Sequence, residues 1–150
     1  MRWRKSNEYH LTFAENFAPE AGTIASHEEI IKEYGFVWYG KRGSSISREI
    51  KNEILNNEEP QILLIQSGKT KRYWARIIDI QNDKPENKYI PEYYRDRDDK
   101  FGTWFKIISF VEAEKDVMEK CKVTSSGTPL SIASRHSMSP YFKITYMEEA

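Results

Sequence analysis

The sequence has few of the residues from which disulfide bonds and metal sites are made. It contains a single cysteine, Cys121, and three histidines. One cysteine cannot form an internal disulfide bond, which fits a reducing compartment, and we expect a cytoplasmic protein. His10, His27 and His136 are far apart, and neither a His-x-x-x-His nor a Cys-x-x-Cys spacing occurs. A zinc site is therefore not expected, and no other cofactor is predicted.

Long apolar runs and an excess of charge of one sign are also missing. No segment approaches the ~20 apolar residues of a membrane-spanning helix, so we expect no membrane partner. The 23 Lys and Arg residues are balanced by 23 Asp and Glu residues. A generic DNA-coating protein depends on neutralising phosphates, and this balance argues against that class. Nucleic-acid binding would have to rest on a local basic patch.

The usual catalytic patterns are absent as well. The serine-rich segments contain no Gly-x-Ser-x-Gly elbow. Gly68, Lys69 and Thr70 match the ending of a phosphate loop, but Leu63 stands where that motif needs its first glycine. Because no nucleophile, base and orienting group can be named together, we predict that the chain is not an enzyme.

The 150 residues are long enough for one domain. We predict a single domain over residues 1–150, in which residues 1–7 form a flexible N-terminus. Apolar alternation or a short apolar run predicts strands at residues 8–13, 36–39, 61–66, 73–80, 103–111 and 141–147. Apolar faces and capping signals predict helices at residues 26–34, 46–56 and 112–122, and a short helical turn after Pro129. Ser26 and Glu29 form a capping box, and Gly35 can close the first of these helices.

The predicted strands and helices are segregated rather than strictly alternating. This order favours an α+β fold, with a curved sheet or a small β-barrel flanked by short helices. Residues 81–102 are polar and rich in tyrosine, without clear periodicity. A loop of this length within a compact domain is usually functional, and we predict that it binds a ligand.

The most informative segment is residues 36–43, where aromatic residues run into a basic turn flanked by glycines. Trp38 and Tyr39 supply flat rings, and Lys41 and Arg42 supply positive charge. A hairpin with a second basic turn follows at residues 61–80. Flat rings beside a cationic, flexible backbone suit a ligand that is both flat and anionic, such as a nucleotide.

The order of these segments resembles the PUA-like superfamily and, within it, the EVE and YTH domains that read modified bases. Residues 9–13 stand where such domains open, and residues 35–38 correspond to the segment that carries their first cage tryptophan. Residues 62–67 and 73–78 are similar to their central hairpin. The resemblance extends from Tyr9 to Ile144 and implies a PUA-like (EVE/YTH-type) domain.

What the resemblance implies is a pocket that takes one base flipped out of a nucleic acid and holds it in an aromatic cage. The candidate cage rings are Trp38, Tyr94, Phe101, Tyr93 and Trp74. The candidate contacts to the phosphate backbone are Lys41, Arg42, Lys69, Lys71 and Arg72. Polar side chains that could read the base edge are Ser44, Ser45, Ser67 and Asn82.

Domains that look like this often serve as the recognition part of McrBC-type, modification-dependent restriction systems in bacteria and archaea. The chain carries no ATPase or nuclease signature, so it would be the reader alone, with effector subunits of a restriction or defence system as partners. We predict a reader of a modified, for example methylated, base in DNA. The alternatives are a modified-RNA-binding domain, a small nucleoside-acting enzyme with Asp79 or Glu92 as its base, and a protein-interaction module.

Overall fold

A computed structural model describes residues 3–13, 23–57, 59–66, 72–95, 101–136 and 141–149. The strands in this part of the chain are β1 (Trp3–Phe13), β2 (Val37–Arg42), β3 (Gln61–Gln66), β4 (Arg72–Gln81), β5 (Phe101–Glu112), β6 (Cys121–Val123) and β7 (Tyr141–Glu149). The helices are α1 (Thr23–Tyr34), α2 (Arg48–Leu55), α3 (Val117–Lys120) and α4 (Leu130–His136). Two 3₁₀ turns, Asn87–Tyr89 and Glu92–Tyr94, lie between β4 and β5.

The strands form one sheet in the order β2-β5-β4-β3-β1-β7-β6. The four strands from β2 to β3 are antiparallel, whereas β1 is parallel to β3 and antiparallel to β7. The predicted α+β class is therefore confirmed. The small-barrel alternative is wrong, because β2 and β6 remain separate edges of the sheet within the residues that the structure describes.

Strand β3 has the predicted bounds, and its apolar run is buried on both faces. Ile62 and Leu64 belong to a first core that also contains residues of α1, α2, β2 and β5. Leu63 and Ile65 belong to a second core, formed with α3, α4 and residues of β6 and β7. Alternating side chains of one central strand thus reach two different cores, which explains why the sequence shows an uninterrupted apolar run.

Strand β1 begins at Trp3, five residues before the predicted start. Residues 3–7 pair with residues 145–149 of β7, whereas the sequence predicts a flexible N-terminus over residues 1–7. Short-range sequence patterns could not indicate this, because the partner strand lies more than a hundred residues away.

The helix predicted at residues 112–122 is much shorter in the structure. Residues 101–112 continue β5, and α3 covers only Val117–Lys120. Cys121 opens β6, where it pairs with Tyr146 and is fully buried. Residues 121–123 therefore pair with β7 as a strand, where the local pattern predicts the end of a helix.

Helix α1 ends as predicted but starts earlier. Gly35 has φ of +87°, and its N–H donates to the Ile31 carbonyl at 2.7 Å. The helix begins at Thr23, so Ser26 is a buried residue within it rather than its N-cap. In α2 the N-cap is Ser47, whose hydroxyl accepts the N–H of Ile50 at 3.2 Å.

None of the helices in the described part of the chain combines the length and the apolar character needed to cross a membrane. The same residues contain no cluster of three or more His, Cys, Asp or Glu side chains suited to a metal ion.

Candidate nucleic-acid interface

A third group of buried residues, the aromatic cluster, lies apart from the two cores. It consists of Trp38, Ile90, Tyr94, Phe101 and Trp104. Strands β2 and β5 and the long loop between β4 and β5 each contribute to it. The loop predicted to bind a ligand therefore covers an aromatic face of the sheet.

The register of β2 on β5 explains how the two tryptophans reach the same face. Trp38 is opposite Lys106, and Gly40 is opposite Trp104. Residues two apart in a strand, and residues directly opposite each other, share a face of the sheet. Trp38, Gly40, Trp104 and Lys106 therefore lie on one side, and Tyr39 and Phe105 contribute to the first core on the other.

Gly40 makes room for the cluster. A Cβ atom at this position would lie 2.9 Å from Cδ1 of Phe101 and 2.9 Å from Cζ3 of Trp104. The sequence pattern predicts a turn beginning at Gly40, but β2 continues to Arg42. This glycine is a strand residue on which two rings rest.

The rings of the cluster pack mainly edge to face. The Tyr94 ring centroid is 4.9 Å from that of Phe101 at 89° and 5.2 Å from that of Trp104 at 75°. Trp38, Tyr94 and Phe101 are 7%, 3% and 8% exposed, and Trp104 is fully buried. In the free chain the rings therefore occupy each other's faces, and a base must displace one of them to stack there.

Tyr94 also ties the cluster to helix α1. Its hydroxyl lies 3.1 Å from Nε2 of His27, a fully buried residue. The His27 ring is in turn 5.2 Å from the ring of Tyr39 in the first core. The position of the second 3₁₀ turn is thus set by contacts with both the cluster and the helix.

A partly exposed aromatic and cationic surface, which we call the Phe36 surface, adjoins the cluster. It consists of Tyr34, Phe36, Tyr89, Lys88 and Lys106. The Tyr89 ring is 4.8 Å from Phe36 and 5.1 Å from Tyr34. The Lys106 ammonium lies 4.2 Å from the centre of Phe36 and 5.8 Å from that of Trp38, and the Lys88 ammonium is 4.9 Å from Tyr89. Such a surface combines the stacking and charge that nucleic acids need.

Comparison with known families places the whole of this region in one domain type. The sequence profile of the Pua-like family matches residues 10–146. The chain belongs to the Pua-like family. Domains of the Pua-like family generally bind nucleic acid. No curated protein matched the sequence. No solved structure matched it either.

Three of the five predicted cage residues of this Pua-like chain come together. Trp38, Tyr94 and Phe101 lie in the aromatic cluster. Tyr93 belongs to the second 3₁₀ turn, but its side chain is outside the described part of the structure. Trp74 packs against the second core and lies seven residues before Gln81, the β4 residue opposite Trp104. Along a strand this separation is about 24 Å, so Trp74 does not join the other rings.

The predicted phosphate contacts are not gathered around the cluster. Lys41 is only 8% exposed, and its ammonium donates to the Ser44 carbonyl at 3.2 Å. It lies opposite Thr103, on the other face from Trp38, and burial lowers its pKa. Arg72 begins β4, about 30 Å along the strand from Gln81. Strand geometry therefore keeps both residues from a phosphate beside the cluster.

The structure does not describe the side chains of the remaining predicted phosphate contacts. Arg42 belongs to β2, but its side chain is not described. Lys69 and Lys71 lie outside the described residues, as does Ser67.

The other base-edge candidates flank the cluster from two sides. The Ser45 hydroxyl donates to the Gly102 carbonyl at 2.7 Å, next to Phe101. Residues 43–45 lie so close that a Cβ atom on Gly102 would be 2.4 Å from the Gly43 carbonyl oxygen. Ser44 and Ser45 are exposed there, and exposed Asn82 directly follows the β4 residue opposite Trp104.

Several residues of the site were missed or not selected from the sequence. Trp104 completes the cluster, and Phe36, Tyr89 and Lys106 form the adjoining surface. The glycine two positions after Trp38 was a usable signal, since a missing side chain in a strand admits a ring from its neighbour. No comparable pattern indicated the contact between His27 and Tyr94, which joins residues far apart in sequence.

Proposed function

We propose that this Pua-like chain is a reader that binds a nucleic acid by taking one modified base into the aromatic cluster. The observation that carries the proposal is the convergence of Trp38, Tyr94 and Phe101, which come from separate segments, beside a surface bearing Lys88 and Lys106. The resemblance to EVE and YTH domains supports the same reading. The preferred ligand is a methylated or hydroxymethylated base in DNA.

A base that enters the cluster takes the place of the Tyr94 ring. Tyr94 leaves Phe101 and Trp104, which costs about 0.5–1.5 kcal/mol for each ring contact. It also gives up its hydrogen bond to His27, worth about 0.5–1.5 kcal/mol. The incoming base gains about 1–3 kcal/mol by stacking. The costs together, about 1.5–4.5 kcal/mol, equal or exceed this gain, so a base is held only if it makes contacts beyond stacking.

A methyl group is such a contact. Burying one CH₂-sized group contributes about 0.8 kcal/mol, a factor of about four in affinity. Phosphate contacts then supply the affinity that is common to all sequences. We assign that role to Lys106 and Lys88, because both lie over rings at the margin of the cluster.

A modified RNA is the second candidate ligand, because Pua-like domains include RNA-binding modules. We do not propose an enzyme. Oδ1 of Asp79 accepts the N–H of Ile80 at 2.8 Å, and Glu92 is exposed in the second 3₁₀ turn. Neither belongs to the aromatic cluster. Effector subunits of a restriction or defence system are the proposed partners of the reader.

The test measures binding to short duplexes by fluorescence polarisation. The duplexes are plain or carry methylcytosine, hydroxymethylcytosine or methyladenine, and matched RNAs are tested in parallel. We expect tighter binding to one modified oligonucleotide. Trp38→Ala should reduce that affinity to the level of the plain oligonucleotide, with little effect on the plain one.

Trp74→Ala is the matched control, because it removes a tryptophan from the same sheet but outside the cluster. The ratio of modified to plain affinity should survive this change. Equal losses on modified and plain ligands for Trp38→Ala, with folding verified by circular dichroism, would contradict the proposed role of the cluster.

A further inference from the structure

We infer that the indole N–H of Trp104 donates a hydrogen bond to the edge of the bound base and thereby selects bases that present an acceptor there. This inference rests on the proposed function and names a specificity-determining residue for it. The ligand class that follows is a base modified on a ring carbon or an exocyclic amine. Methylation of the ring nitrogen that meets the indole would remove the acceptor and prevent binding.

The first observation is an unsatisfied donor. Trp104 is fully buried, and its Nε1 atom has no hydrogen-bond partner in the described part of the chain. Buried indole N–H groups usually find an acceptor, and an unpaired one requires an explanation. Here the donor belongs to the same cluster as the three predicted cage rings. A ligand that enters the cluster can supply the missing acceptor.

The second observation is the orientation of the indole. Its Cζ3 atom lies 2.9 Å from the position of a Cβ atom on Gly40, so this edge of the ring rests on β2. Nε1 is on the opposite edge of an indole, and the N–H therefore points away from β2. Tyr94 packs against the same indole with a centroid distance of 5.2 Å. A base that displaces Tyr94 would bring its own polar edge next to the Trp104 indole.

The third observation is that three polar side chains near the cluster bond to other groups, and none of them accepts from the indole. Gln81 is opposite Trp104 in β4, and its Nε2 donates to the Asp83 carbonyl at 2.8 Å. Oδ1 of Asp79 accepts the N–H of Ile80. The hydroxyl of Tyr94 is within hydrogen-bond distance of His27.

An indole N–H can only donate, so it distinguishes a carbonyl oxygen or an unprotonated ring nitrogen from an N–H or N-methyl group. A buried donor rejects a ligand without an acceptor more strongly than an apolar pocket rejects an extra group. The aromatic rings would then recognise the modifying group, and the N–H of Trp104 would recognise the base that carries it.

The test combines one substitution with one spectroscopic signal. The four tryptophans give four indole signals in a ¹H–¹⁵N spectrum, and Trp104→Phe identifies the relevant one while keeping a ring in the cluster. The preferred modified duplex should move this signal downfield. Trp104→Phe should weaken binding to that duplex about tenfold, as the loss of a buried hydrogen bond predicts. Trp74→Phe should leave binding unchanged.

Analogues of the same modified base that each lack one acceptor, with carbon in place of a ring nitrogen or hydrogen in place of a carbonyl oxygen, complete the experiment. The wild-type chain should bind one analogue about tenfold more weakly than it binds the parent modified base. Trp104→Phe should bind that analogue and the parent base equally well. If Trp104→Phe does not fold, replacing each of the other three tryptophans with phenylalanine identifies the Trp104 indole signal by elimination. The response of that signal in the wild-type chain to the base and its analogue then decides the question.

An unmoved indole signal, together with unchanged binding by Trp104→Phe, would overturn the inference. If Trp38→Ala still abolished discrimination, the proposed function would stand without it. Failure of the wild-type chain to prefer any modified oligonucleotide would instead refute the proposed function, and this inference with it.

Discussion

Lys41 is a largely buried lysine whose amino group donates to the Ser44 carbonyl, at a strand position opposite Thr103. Burial lowers its pKa from the usual 10.5. Between the lowered pKa and the ordinary value, the unfolded chain binds more protons than the folded one, so the contribution of Lys41 to stability rises with pH. Below the lowered pKa the ammonium is charged in both states, and the cost of its burial is fully present.

We therefore expect the difference in unfolding free energy between the wild-type chain and Lys41→Met to move in favour of the wild type as the pH is raised from 7 towards 10.5. Urea denaturation at several pH values measures this difference. Lys115→Met, at an exposed position, is the control and should show a smaller change. A constant difference for Lys41→Met would contradict the assignment.

A residue of the site could be predicted from the sequence only where its neighbours in the chain indicated a binding role. Trp38, Tyr94 and Phe101 stood out because rings adjoin glycines, charges or a long loop. Lys41 was misleading, because a lysine next to glycine reads as an exposed turn residue. Its burial follows from the extension of β2 to Arg42, which the turn pattern concealed.

At the scale of elements, the second 3₁₀ turn carries Tyr94, the side chain that would move to admit a base. Lys84 donates to the Arg95 carbonyl at 2.9 Å, and Arg95 donates to the Asn87 carbonyl at 3.2 Å. These contacts hold the backbone of the loop, whereas Tyr94 is held by its ring contacts and by His27. Rotation of a single side chain can therefore open the cluster while the loop stays in place.

Tyr94→Phe should keep the ring and remove its bond to His27. We expect a loss of about 1 kcal/mol in stability, since buried hydrogen bonds contribute about 0.5–1.5 kcal/mol. Affinity for the preferred modified oligonucleotide should rise about threefold to fivefold, because the closed state has lost that bond. Thermal unfolding and fluorescence polarisation measure the two effects.

Tyr73→Phe is the control for this prediction, because it removes a hydroxyl from a tyrosine that packs against the first core rather than in the cluster, and it should leave the affinity unchanged. A decrease in affinity for Tyr94→Phe, in step with its stability, would indicate that Tyr94 supports the fold without gating the base.

The elements themselves show which interactions a sequence reveals. Strand β3 and the end of α1 were predicted because an apolar run and a closing glycine are local signals. The start of β1 and the replacement of a helix by β6 both depend on pairing with β7. Such pairing depends on segments that are distant in sequence, so a short window of neighbouring residues cannot predict it.

For the whole molecule, the balance of charges limits how strongly salt can affect binding. With a formal net charge of zero, affinity depends on a few cations near the site rather than on the overall field. If Lys88 and Lys106 contact phosphates, the slope of log K against log salt concentration should be about −2. Titrations at several salt concentrations measure it.

Lys106→Ala should reduce the magnitude of that slope by about 1 and weaken binding to all sequences alike. Lys122→Ala, at an exposed position in β6 at the far edge of the sheet, is the control. A slope several times steeper, or one unaffected by Lys106→Ala, would place the phosphate contacts elsewhere.

The position of β1 inside the sheet, between β3 and β7, has a consequence for synthesis of the chain. Its antiparallel partner is made more than a hundred residues later, so at about 5–20 residues per second β1 waits on the order of ten seconds for β7. During that time an edge of the growing sheet is open to pairing with other chains. Slow translation of the segment between β3 and β7 should therefore lower the soluble yield of this protein.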